Sequence, residues 1–178
     1  MDITNILGAL TDNDAVDAIA KNLKLDSNQV SSVITNALPT LLGAMQKNAS
    51  TQGGAESLIK ALGDHAGNAG NIISNLSGTD LTDGNKILSH IFGGNLSSVI
   101  SGISQKSGVA NNMVGSILAA IAPSLLALLG KGQQKIGINA AGLAGMLGTI
   151  LAASSANSNS NSGGLGDLLG GLGKIFGK

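Results

Sequence analysis

The sequence predicts an all-α fold, and three observations carry that prediction. Apolar residues recur at three- and four-residue steps in segment after segment, the spacing of one helical face. Nowhere do apolar and polar residues alternate over the length of a strand. Asp, Ser or Thr stands before most apolar segments and Gly after several of them, which are the signals that start and stop helices. The expected arrangement is a multihelical array with an internal duplication, followed by a flexible Ser/Asn linker and a C-terminal amphipathic helix.

The most apolar stretch is Asn111–Gly130, NNMVGSILAAIAPSLLALLG, which contains no charged residue. Val114, Ile117, Leu118, Ile121, Leu125, Leu128 and Leu129 share one helical face. Gly115, Ser116, Ala119, Ala120, Ser124 and Ala127 occupy the rest and are small enough for neighbouring backbones to come close. Such a helix belongs in a core with partners on more than one side.

In chain order, Ile3, Ile6, Leu7 and Leu10 predict a short amphipathic helix. The acidic turn Thr11–Asp14 opens a second, carrying Val16, Ile19, Ala20 and Leu23, with acids suited to a helix N-terminus. Asp26 or Ser27 caps a third, whose stripe runs Val30, Val33, Ile34, Ala37, Leu38, Leu41, Leu42 and Met45. Pro39 lies inside it and denies a hydrogen bond to the Thr35 carbonyl, which predicts a kink or a break.

The polar run Lys47–Gly54 reads as a loop. Ala55, Leu58, Ile59 and Leu62 form a helix stopped by Gly63, and Ile72, Ile73 and Leu76 a weaker one. His65 falls in an irregular, Gly-rich stretch between them. Thr82 or Asp83 caps the next helix, in which Ile87, Leu88, Ile91 and Phe92 point inward and Gly93–Gly94 ends the run. Leu96, Val99, Ile100 and Ile103 precede Ser107–Gly108 and the central helix. After a turn at KGQQK (131–135), Leu143, Met146, Leu147, Ile150 and Leu151 line another helix. Ser154–Gly164 is low-complexity linker, and an apolar tail follows. The domain reading is 1–152 for the helical domain, 153–164 for the linker and 165–178 for the tail.

Superposing the two prolines, 84 residues apart, reveals a repeat. Asn28, Val30, Ser32, Leu41, Leu42 and Lys47 meet the same residue types at Asn112, Val114, Ser116, Leu125, Leu126 and Lys131. Val16 and Ile19 meet Ile100 and Ile103 upstream. Any two amphipathic helices with a central Pro share some of this pattern. Agreement in the preceding helix and capping turn favours duplication, with units at about 1–62 and 82–152.

Composition excludes several functions. Ten basic and ten acidic residues cancel, and Phe92 and Phe176 are the only aromatics. Nothing offsets phosphate charge or stacks on bases, so nucleic acid is not an expected partner. Cysteine is absent, which removes disulfides and thiolate metal sites. Charged residues are 11% of the chain against a usual share of about 25%, so copies of the protein repel one another weakly. The N-terminal MDITNILGAL has no basic region of the secretory kind, which predicts a cytoplasmic protein.

DGNKILSHIFGG (83–94), Ser107–Gly108, Ala122–Pro123, AGLAGMLG (141–148) and the Gly/Leu tail together resemble the bacterial YidB-like family, domain of unknown function 937. ALPTLLGAM (37–45) resembles its N-terminal half, so the likeness covers nearly the whole chain. Its motif residues here are Asp83, Gly84, His90, Ile91, Phe92 and Gly93, with His90–Gly93 the most specific part. Ser89 stands where the family often has Gly. The resemblance implies a multihelical bacterial protein and brings no activity or catalytic residue with it.

The residues themselves offer little chemistry. His90 would need carboxylates or a second His converging on it to act as ligand or base, and spacing provides none. It reads instead as a helix-terminal His beside the last carbonyls. Asp80 and Asp83 before Gly84 fail the register of a calcium loop. Gly164, Gly166 and Gly170 miss the dinucleotide fingerprint, and no Gly-x-Ser-x-Gly elbow occurs. No catalytic residue, cofactor or metal is therefore predicted. The expected function is non-enzymatic protein binding or self-association. Its candidate interaction surface is Leu165, Leu168, Leu169, Leu172, Ile175 and Phe176, one face of the tail. The alternative is a membrane role, peripheral through that tail or inserted through an apolar hairpin of 113–130 and 136–153 joined by KGQQK. Each arm has about 18 uncharged residues, the lower limit for spanning.

Overall fold

A computed structural model describes residues 8–137 and 139–157, and every regular element among them is helical. After a helical turn at 8–11 come α1 (Asn13–Leu23), α2 (Ser27–Ala49) and α3 (Gln52–Ala66). A 3₁₀ turn, Gly67–Gly70, leads into the short α4 (Ile72–Ser77) and then α5 (Leu81–Phe92). A second 3₁₀ turn, Gly93–Asn95, precedes α6 (Leu96–Ser107), α7 (Asn111–Ile136) and α8 (Ala140–Asn157).

Three aspartates start helices by the same local device. Asp12 accepts a hydrogen bond from the Asp14 N–H, Asp26 from Asn28 and Asp80 from Thr82, at 3.2, 2.8 and 2.8 Å. Each satisfies a donor that has no partner inside its own helix. Thr82 and Asp83, the expected caps of α5, lie inside it. The carboxylate bond reaches two residues forward, so the helix begins at Leu81 and Asp83 falls in its first turn.

Two predicted loops are helix. Lys47–Ala49 and Gln52–Gly54 belong to α2 and α3, leaving only Ser50 and Thr51 between them. The Ser50 and Thr51 hydroxyls donate to the carbonyls of Gln46 and Asn48, closing the end of α2. KGQQK likewise continues α7, which ends at Gly137 in a left-handed conformation (φ 67°). In both places polarity reflects helix surface rather than a break in the helix. The first residues of the predicted linker are helix as well, since Ser154–Asn157 lie in α8. His65, expected in an irregular stretch, sits in the last turn of α3. Ile3, Ile6, Leu7, the rest of the linker and the tail lie outside the described residues.

Both prolines sit within helices that continue past them, so Pro39 does not break α2. Thr35, whose carbonyl Pro39 frees, is exposed, and solvent can serve that group. Pro123 frees the carbonyl of Ala119 in the same way, but Ala119 is buried. Gly84 of α5 packs directly on that carbonyl, and a Cβ at position 84 would overlap it.

α7 is the centre of the molecule. Val114, Ile117, Leu118, Ile121, Leu125, Leu128 and Leu129 are all buried, and so are Ala119, Ala120, Ala122, Leu126 and Ala127 behind them. It packs most extensively on α3 and α5, with α6, α2 and α4 also in contact. Gly130 brings α7 against the Leu62 carbonyl of α3, where no Cβ would fit. α8 lies along α2 and also touches α3, burying Leu143, Met146, Leu147 and Ile150. By length and composition Asn111–Lys135 could cross a membrane, but 78% of its most apolar window is buried within the protein. The predicted turn at KGQQK is part of α7, which ends at Ile136, and α8 starts at Ala140.

Candidate functional site

The family-motif residues do mostly structural work. Ile91 and Phe92 are buried in the core, Gly84 carries the α5–α7 contact, and Gly93 ends α5 at φ 54°, a value that favours glycine. His90 is exposed on the last turn of α5. The Ile91 carbonyl beside it accepts a 2.9 Å hydrogen bond from the Asn48 side chain, tying the ends of α2 and α5 together. Three motif residues line concave surface: His90 and Ile91 one site, and Asp83 another.

His90 borders a groove between α3 and α5 of about 390 Å³. Leu58, Ala61, Ile87, Ile91 and Leu126 give it an apolar floor, while Lys60, Asp64, Lys86 and His90 stand around it. α3 and α5 meet there over α7 rather than over each other, which leaves the channel open between them.

Asp83 borders a second, polar pocket of about 270 Å³. Its walls come from the end of α3 (His65), the 3₁₀ turn and α4 (Asn68, Ser74, Asn75), the link into α5 (Gly78, Thr79, Asp80) and α7 (Pro123, Ser124). His65 Nε2 stands 4.0 Å from Asp83 Oδ2, a loose ion pair when the ring is protonated. The Thr82 backbone N–H, helped by the Thr82 hydroxyl, holds the Asp80 carboxyl below the usual carboxylate range. Thr79 donates to the Asn75 carbonyl at 2.6 Å, and Asn75 donates to the Asn68 carbonyl at 2.7 Å. These bonds brace the wall opposite α7.

Ser124 is the one buried polar residue among those described, at 2% exposure. Its hydroxyl makes no hydrogen bond to another described group. His65 therefore does not reach it, and Ser124, His65 and Asp83 do not form a relay of the hydrolase kind. Among the described residues no three His, Asp or Glu side chains converge as a metal site would need. Sequence reasoning treated Ser124 as a small spacer. Its signal was a Ser next to Pro at a point in the helix where the other neighbouring positions are Leu, Ile and Ala. The six tail residues Leu165, Leu168, Leu169, Leu172, Ile175 and Phe176 lie outside the described residues.

The family model described as bacterial protein of unknown function, DUF937, matches residues 5–132. No curated protein and no solved structure matches the chain.

Proposed function

The chain belongs to the bacterial DUF937 family, and on that footing we propose that it is a non-enzymatic, self-associating helical module. The observation that carries this reading is the open apolar groove between α3 and α5. Its proposed occupant is segment 165–178 of a second copy. Folded as a helix, that segment would bring Leu165, Leu168, Leu169, Leu172, Ile175 and Phe176 to one face by their spacing, with Asp167 near its start and Lys174 near its end. Lys60, Lys86 and Asp64 offer charges of both signs around the groove. Burying six large side chains would contribute on the order of 10 kcal/mol before ordering costs. Low charge across the protein leaves little repulsion between copies.

The same reading includes the internal duplication. Helices α1 and α2 correspond in length and order to α6 and α7, and α3 to α8. Lys24 and Gly108, again 84 residues apart, both end their helices in the left-handed conformation (φ 55° and 71°). Their N–H groups return to Ala20 and Ser104 respectively, which also stand 84 apart. Lys24 tolerates a conformation that usually falls to glycine, which supports an inherited turn over chance.

Light scattering of the full chain and of a chain ending at Asn157 tests the self-association. Truncation should lower the mass, and Ala61→Arg, which fills the groove, should lower it equally. Unchanged mass in both overturns the proposal. Flotation of the full chain on lipid vesicles, lost on truncation, would overturn it in favour of membrane attachment.

A further inference from the structure

We propose that the tail of the second copy enters the α3–α5 groove in one direction only, parallel to α3, with Asp167 at the Lys60 and His90 end and Lys174 at Asp64. This rests on the self-association reading above and assigns the charged residues that set its specificity.

Two contacts orient α3 and α5. His65 in the last turn of α3 stands 4.0 Å from Asp83 in the first turn of α5. At the other end Asn48, just before α3 begins, donates to the carbonyl of Ile91 in the last turn of α5. The two helices therefore run antiparallel. Their dipoles oppose each other at both ends of the groove, so side chains decide its polarity.

Those side chains are ordered by sign. Each helix rises about 1.5 Å per residue, so the level of His65 and Asp83 sets His90 beside Leu58 and Lys86 beside Leu62. Along α3 the groove thus meets His90, Lys60 and Lys86 before it meets Asp64. Asp83 and Asp80 follow in the neighbouring polar pocket. Glu56 stands near the start of α3 but does not line the groove. Lys60, Asp64, Lys86 and His90 are all exposed and available to a docked helix.

The tail carries the complementary order. Asp167 is its one acid and precedes Lys174 and Lys178. Folded as a helix, the tail would separate Asp167 from Lys174 by about 10 Å. The groove extends from Ser57 to Asp64 on α3, the same number of residues. Setting Asp167 beside Lys60 and His90 therefore brings Lys174 to Asp64. Leu168, Leu169 and Leu172 then fall between the two charges, over the apolar floor of Leu58, Ala61 and Ile87. In the reverse direction Lys174 meets Lys60 and Asp167 meets Asp64, and like charges set together oppose docking.

The chain has no cysteine, so introduced thiols report the direction without interference. Full-length copies carrying Ser57→Cys are mixed with copies carrying Gly166→Cys or Gly177→Cys and oxidised gently. The Gly166→Cys mixture should form the disulfide between unlike chains, and the Gly177→Cys mixture should not. Charge reversal supplies a second readout by light scattering. Asp64→Lys and Lys174→Asp should each raise the concentration for half-assembly by about three- to tenfold, and the two combined in one chain should return it near the parent. Circular dichroism melts establish that each variant folds. No preference for Gly166→Cys over Gly177→Cys, reversals without effect, or a combination no better than either single reversal would overturn the direction while self-association stands. A parent chain that stays monomeric would overturn the groove reading itself, and the direction with it.

Discussion

Gly84 joins two helices by having no side chain. Pro123 withdraws the N–H that would have served the Ala119 carbonyl, and the backbone of α5 comes down onto that carbonyl through Gly84. Its Cα–H can offer the carbonyl a weak hydrogen bond in place of the lost one. Alanine in a helix ordinarily gains about 0.5–1 kcal/mol over glycine. At position 84 the new Cβ overlaps backbone, and backbone displacement of that kind costs about 1–3 kcal/mol. Gly102 on α6 faces open space and has no such conflict. Gly84→Ala should therefore lower stability while Gly102→Ala raises it, read as denaturant midpoints. Equal stabilisation by both would show that α5 and α7 are not in close contact at Ala119.

At the scale of one element, α5 depends on how Asp80 starts it. The Thr82 backbone N–H, then its hydroxyl, favours the ionised carboxyl and lowers the folded-state pKa. A lowered folded pKa contributes stability that is fully present above the unfolded value and is lost as pH falls through the folded one. Asp80→Asn keeps a capping oxygen but removes the charge beside the helix N-terminus. Thermal melts should find Asp80→Asn less stable than the parent near neutral pH. The difference should shrink as pH falls below the ordinary carboxylate range. A difference that is constant with pH would mean that the ionised cap adds nothing.

Across the whole molecule, packing is exchanged between the two halves. α7 of the second half packs most extensively on α3 of the first, and α8 of the second lies along α2 of the first. Leu58 and Leu62 of α3 join the same core as Leu125 and Leu129 of α7. Each half would expose those faces if separated, and a large exposed apolar area drives association or unfolding. Fragments divided between Gly78 and Thr79 should each show reduced helicity alone and recover it on mixing. Two fragments that are each fully helical and monomeric would show that the halves are independent domains.

Local sequence determined the helices, their inward faces and most of their starts. Period and capping act within a turn or two of the residue concerned, so Asp12, Asp26 and the stripe from Val114 to Leu129 were legible without a structure. The same short range explains the misreadings. Lys47–Gly54 and KGQQK are polar because they lie on helix surface, and a polar run does not distinguish that from a loop. Tertiary structure alone decided which helices meet. It brought His65 to Asp83, set Asn48 on the Ile91 carbonyl and seated Gly84 on Ala119, pairs separated by 18 to 43 positions. It also turned Ser124 from a small spacer into the wall of a pocket, because that role depends on what α4 and α5 place opposite it. No periodicity within one helix carries that information.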